Sequence, residues 1–183
     1  VGILFANILL MFGLMMVPLL NHYQDEVLDH MIADYQYILK TPAETENDAA
    51  ETYCVSTLKT VFEDKESDEV TAYGIEPDSA YVDIEFRHPD DIYISNAFAE
   101  KYNINVGDSV TLDEPYDDND YTFKIAGIYT YPASIAVFME QDQYNEVFNK
   151  QEGYFNGYFS DKKITDINDE MISTVITKDD LDK

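Results

Sequence analysis

The chain has 183 residues, with 37 Asp or Glu against 11 Lys or Arg, for a formal net charge of −26. So negative a surface is repelled by phosphate backbones and has no Lys/Arg stripe to release counterions, which excludes nucleic acid as a partner. The 15 Tyr and 10 Phe exclude an acidic disordered tail, and the single Cys54 excludes an internal disulfide.

Residues 1–20, VGILFANILLMFGLMMVPLL, carry no charged side chain. At about 1.5 Å per residue the run is about 30 Å long as a helix, matching the hydrocarbon core of a bilayer, and it predicts a transmembrane helix. A cleaved signal peptide would need a basic leading region and a small-residue cleavage site, and neither occurs. Asn7, Gly13 and Pro18 mark a face suited to packing on another helix, so further spans are expected, and a chain opening at Val1 is expected to be a piece of a longer protein. The first basic residue is Lys40, and cytoplasmic flanks are rich in Lys and Arg, so the part after the span is expected outside the cell.

Leu20, Tyr23, Val27, Met31, Tyr35 and Ile38 recur at steps of three and four. This stripe predicts a stalk helix over 21–40, with Tyr23, Val27, Met31 and Tyr35 as its packing face. Tyr35–Lys40 also fits a strand ended by Thr41-Pro42. Beyond residue 51 the period falls to two, predicting strands at 52–59, 69–75, 91–95, 108–113, 121–131, 134–139, 155–160 and 171–177. Helices fit 96–103, capped by Ser95 or Asn96, then 140–149, and a further one fits 161–170. Strands and helices mixed without strict alternation predict an α+β fold.

The sharpest local unit is residues 92–112, IYISNAFAEKYNINVGDSVTL. A strand ends at Ser95, a short helix gathers Ala97, Phe98 and Tyr102 on one side, and Gly107-Asp108 turns the chain into the next strand. Tyr116-Asp117-Asp118-Asn119-Asp120-Tyr121 lies between two strands; its carboxylates could offer oxygen ligands to Ca²⁺, but the spacing departs from an EF-hand loop and a solvated hairpin turn is the favoured reading. The pairs Asp90-Asp91, Asp113-Glu114 and Asp117-Asp118 form the candidate acidic ligand patch, suited to a cationic peptide or divalent ions drawn in by long-range attraction; a solvated acidic surface that keeps the domain soluble is the favoured reading of the charge.

No catalytic constellation emerges. His22, His30 and His88 share no metal-ligand spacing, there is no Gly-x-Ser-x-Gly elbow, and no Gly-x-x-x-x-Gly-Lys phosphate loop. The expectation is therefore a protein that is not an enzyme, with no catalytic, metal or cofactor residues.

The unit at 92–112, followed by FKIAGIYTYP (123–132) and AVFM (136–139), resembles the extracytoplasmic (periplasmic-core-type) domain of FtsX-like, MacB-type ABC transporter permeases. The matching residues are Ser95, Ala97 and Ala99, Gly107 and Asp108, and Ala126, Gly127 and Ile128. The resemblance implies a membrane helix and stalk, a porter-like α+β domain from 41–75 and 134–183, and an inserted β-rich, sabre-like subdomain at 76–133. It also implies a cytoplasmic ABC ATPase subunit and a second permease half or subunit as partners. Its implied action is mechanotransmission, coupling ATP hydrolysis to export, sensing or activation of a peptide, lipoprotein or cell-wall partner. The competing expectation is a surface binding or adhesion module anchored by a single span.

Overall fold

The first helix, α1 (Gly2–Asp29), runs unbroken through the uncharged leader with Pro18 inside it. The computed structural model describes residues 2–29, 31–62 and 66–178, and within α1 the side chains of 3–16, 18 and 22. Large apolar side chains from Ile3 to Met16 are exposed. That described stretch is about 21 Å long at 1.5 Å per residue, and among the described residues no helix is long and apolar enough to cross a membrane.

The stalk expected over 21–40 is corrected by the fold. α1 ends at Asp29, and Tyr35–Leu39 forms strand β1. Met31 lies beyond the helix and Tyr35 opens the strand, so neither shares a helical face with Tyr23 and Val27, whose side chains lie outside the described residues. The physical reason is that Tyr35, Tyr37 and Leu39 also satisfy a period of two, and pairing with strands on both sides outweighs the helical spacing.

The remaining elements are β2 (Glu51–Thr60), β3 (Glu69–Ile75), β4 (Ile92–Ser95), α2 (Asn96–Tyr102), β5 (Ser109–Asp113), β6 (Asp120–Tyr129), β7 (Ala136–Glu140), α3 (Gln141–Val147), β8 (Gly157–Ser160) and β9 (Ile172–Thr177). The expected strands and two of the expected helices are found within a few residues. The helix expected at 161–170 is not: only a 3₁₀ turn, Asp169–Met171, occurs there. Ile164 and Ile167 are spaced like a helical pair but are buried as loop residues against Tyr37 and Tyr158.

Six strands close on themselves. β2 pairs with β3, β3 with β7, β7 with β4, β4 with β6, β6 with β5, and β5 returns to β2 through Lys59 opposite Asp113 and Thr60 opposite Leu112. Strands β4, β5 and β6, from the segment 76–133, thus lie in one circuit with strands from the flanking segments. Alternation on β6 sends Phe123 and Ile125 inward, where they join Leu58, Val70, Ile94, Leu112 and Met139, and α2 adds Phe98.

The amino-terminal end of β2 leaves this circuit for a second, antiparallel sheet in the order β2-β8-β1-β9. At the point of departure Val55 has no strand partner on the β8 side. The side chain of Asn156 substitutes for one, accepting from the Val55 N–H and donating to its carbonyl, both at 2.8 Å. The outer face of β3 and β7 is covered as well: Tyr73, Ile75 and Phe138 pack with Tyr53, Phe159, Val82 and Ile84. Burial on both faces explains the near-continuous apolar runs of these strands.

Candidate functional site

The connection β4-α2-β5 is fixed by side-chain to backbone bonds. Ser95 adopts an extended conformation and its Oγ accepts from the N–H of Phe98, capping α2; the same Oγ accepts from the N–H of Ala136 at the start of β7. Asn103 closes α2 in the left-handed region, and Gly107 sits at φ +96°, a conformation that favours glycine. Asp108 Oδ2 accepts from the N–H of Asn105 at 2.8 Å. Ser95, Gly107 and Asp108 therefore hold architecture.

Four of the six acidic candidates fall on the β5–β6 hairpin. Asp113 ends β5 opposite Asp120, and the turn is closed by the Glu114 N–H donating to Asn119 and by Tyr116 at φ 77°. Asp117 and Asp118 occupy the exposed tip. Glu114 is engaged, because its Oε2 accepts from the Tyr121 hydroxyl at 2.9 Å. Desolvation first, then the Glu114 hydrogen bond and the charges of Glu114 and Asp117, push the Tyr121 hydroxyl up to about 12.

The other two separate. Asp91 is turned inward on its own loop, where Oδ2 accepts from the N–H groups of Arg87 and His88 and Oδ1 lies 3.6 Å from the His88 ring. Its role is to hold a turn. Asp90 instead lines an open groove of about 410 Å³ together with Asp120, Tyr121, Lys124, Gln143 and Val147. Beneath it the Gln143 Oε1 atom is buried, with no hydrogen-bond partner among the described residues. The groove thus presents two carboxylates and one ammonium group beside the apolar side chains of Ile92, Phe123 and Val147, a set suited to a cationic group. Sequence reasoning singled out Asp90, and Asp120 only as part of the hairpin cluster, and missed Lys124 and Gln143, because alternation along β6 and the seating of α3 bring them together only in the fold.

The described residues that line the groove include no Ser, Cys or His. Among the described residues no group of three or more His, Cys, Asp or Glu is placed to hold a metal ion. Cys54 is buried, and desolvation pushes its thiol up to about 12, which disfavours the thiolate.

No family model matches the chain. No curated protein matches it. Among solved structures, the chain is similar to the extracellular domain of the noncanonical ABC-type transporter YknZ from Gram-positive bacteria, at 13% identity and a TM-score of 0.43, over 74% of this chain and 85% of that one. It is similar to a domain of a permease protein from Porphyromonas gingivalis at 16% identity and a TM-score of 0.39, over 73% of this chain and 66% of the other. It is also similar to the periplasmic region of MacB from Actinobacillus actinomycetemcomitans, at 12% identity and a TM-score of 0.43, over 85% of this chain and 94% of that one.

Proposed function

We propose that this chain is the extracellular domain of an ABC transporter permease subunit of the FtsX-like, MacB-type class, together with the membrane helix that leads into it. The observation that carries the reading is the adjacency of the two ends of the folded part. Tyr35 at the start of β1 is the register partner of Thr177 at the end of β9, and beyond them the Lys178 N–H donates to the Asp34 carbonyl while its ammonium group lies 2.7 Å from the Asp34 carboxylate. A domain set between two membrane helices needs its entry and exit side by side. The uncharged run 1–20, the unbroken course of α1 through it and the exposed apolar side chains from Ile3 to Met16 support a membrane helix on the entry side. The absence of any basic residue before Lys40 supports an extracellular domain.

In this reading ATP hydrolysis belongs to a separate cytoplasmic subunit, and a second permease half or subunit completes the transporter. The division into a porter-like part from 41–75 and 134–183 and an insert at 76–133 is kept in sequence only, since β4, β5 and β6 of the insert share one closed circuit with β2, β3 and β7. The acidic hairpin and the Asp90 groove are its candidate contact surface for a cationic peptide or a lipoprotein. The test is to express the parent gene with its neighbours and purify through the permease. Co-purification of an ATPase subunit, with several further apolar runs in the parent, is the expected result. A parent with one span that purifies alone overturns the reading in favour of an anchored adhesion module.

A further inference from the structure

Strand β4 is shorter than the strand β6 it pairs with. It joins β6 only from Ile92, opposite Ile125, so among the described residues the stretch Asp120–Lys124 of β6 has a strand partner on its β5 side alone. The pairing parity shows which backbone groups remain. The Ile125 N–H donates to the Asp108 carbonyl and the Ile125 carbonyl accepts from the Gly107 N–H, both at 2.8 Å. Ile125 therefore faces β5, and with it Phe123 and Tyr121, the partners of Val110 and Leu112. The N–H and C=O of Thr122, between them, point away from β5, to the side that β4 does not reach.

That side is the groove of about 410 Å³ described above. All five residues of Asp120–Lys124 line it, Gln143 and Val147 of α3 line it too, and Asp90 and Ile92 border it where β4 begins. α3 follows directly on β7, the other neighbour of β4, so the groove lies on the line that β4 would follow had it begun earlier. Five residues at about 3.3 Å each give an edge about 16 Å long. A cleft between a strand edge and a helix is an arrangement that accepts an extended peptide as an added strand. Asp90 and Asp120 are exposed and outnumber the single ammonium group of Lys124, while Ile92, Phe123 and Val147 offer apolar contact.

We infer that the edge of β6 at Asp120–Lys124 takes one additional β-strand from a basic, extended segment of a partner protein. Backbone bonds to Thr122 supply the pairing. Side chains of the added strand alternate, so one set meets the apolar residues of the groove and the other brings Lys or Arg to Asp90 and Asp120. A second copy of this chain is disfavoured as the occupant because it would bring two bodies of net charge −26 together, whereas a basic segment is attracted by the same field. The inference rests on the contact role proposed above for the groove and gives it a binding mode. It does not depend on the transporter assignment: an ATPase subunit that fails to co-purify leaves the β6 edge unchanged.

The test uses the whole chain in zwitterionic micelles and a nine-residue peptide of alternating Lys and Val. Hydrogen exchange at the Thr122 amide is expected to slow by about tenfold or more when the peptide is added, as the N–H gains a strand partner, while the Phe123 amide, which already faces β5, is expected to keep its rate. Thr122→Pro removes the outward N–H without taking a bond from the β5 ladder, and is expected to weaken binding by about tenfold. The double variant Asp90→Asn, Asp120→Asn leaves the backbone edge intact and is expected to weaken binding by a similar factor through charge alone. A peptide N-methylated at every amide, which keeps the charge but cannot pair, is expected not to bind. Equal binding by the N-methylated peptide, or an unchanged Thr122 exchange rate at saturating peptide, overturns the added strand and leaves the groove as a cationic contact surface. Failure of both peptides to bind overturns the strand and the contact role together.

Discussion

Replacing Ser95 by Ala removes one oxygen atom that serves two strands and a helix. Its Oγ accepts from the N–H of Phe98 at 3.2 Å and from the N–H of Ala136 at 3.0 Å. Ser95, Phe98 and Ala136 are all fully buried, so water cannot take over either bond. A buried donor left without an acceptor costs about 1–3 kcal/mol, and loss of a serine cap alone typically costs about 1 kcal/mol. Partial relaxation keeps the two losses from adding in full, so Ser95→Ala is expected to destabilise the domain by about 2–3 kcal/mol. The assay is equilibrium urea unfolding followed by circular dichroism and tyrosine fluorescence, with an unchanged dependence on urea. Asn168→Ala is the control: its Oδ1 caps only the exposed 3₁₀ turn, through the N–H of Glu170 at 3.0 Å, and its loss is expected to cost about 0.5 kcal/mol. A Ser95→Ala loss no larger than that of the control would refute the reasoning that two buried N–H groups depend on one hydroxyl.

Gly157→Ala places a methyl group 2.4 Å from the Tyr53 ring and 2.7 Å from the Tyr37 carbonyl, and Tyr53 is itself held by stacking on Phe159 at 3.9 Å; a loss of about 2–3 kcal/mol is expected in a thermal melt. Cys54 is expected to react with an aromatic disulfide reagent at pH 8 at least about a hundredfold more slowly in the native protein than in concentrated urea, so that labelling reports unfolding. Two carboxylates act on stability with opposite sign against pH. The Thr45 hydroxyl and the Glu46 N–H hold Asp166 below its ordinary range, so its contribution is present above the unfolded value near 3.8 and is lost as pH falls through the lower folded one. Burial raises Glu51, so its penalty is full at neutral pH and is relieved as pH falls through the folded value towards 4.5. Glu51→Gln is therefore expected to flatten the rise in stability between neutral and mildly acidic pH, and Asp166→Asn to flatten the fall below pH 4, in urea titrations across that range.

Local structure was legible where one signal acted alone. Glu69–Ile75 is read directly from its β-branched run between polar ends, and α2 from its cap at Ser95 and its exit before Gly107, because both are decided by contacts within a few residues. The segment 21–40 misled because Tyr35 and Ile38 satisfy two periods at once, and the deciding partners, β8 and β9, lie more than a hundred residues away. Closure of the six strands was out of reach for the same reason: it rests on Lys59 and Thr60 meeting Asp113 and Leu112. Of the acidic candidates, sequence adjacency identified the hairpin group correctly as neighbours. It could not tell that Asp91 turns back to its own loop while Asp90 faces Asp120 across a groove.

The side-by-side entry and exit strands also determine how the domain responds to mechanical load. A force that pulls Asp34 and Lys178 apart acts on β1 and β9 at their open end, where antiparallel hydrogen bonds fail one after another, so the pair peels at low force. A force that displaces both strands in the same direction loads no bond between them and is carried through β8 into β2, the one strand shared by the open sheet and the closed circuit. The domain is therefore compliant to separation of its two roots and stiff to their joint translation, as a lever hinged at a single clasp would be.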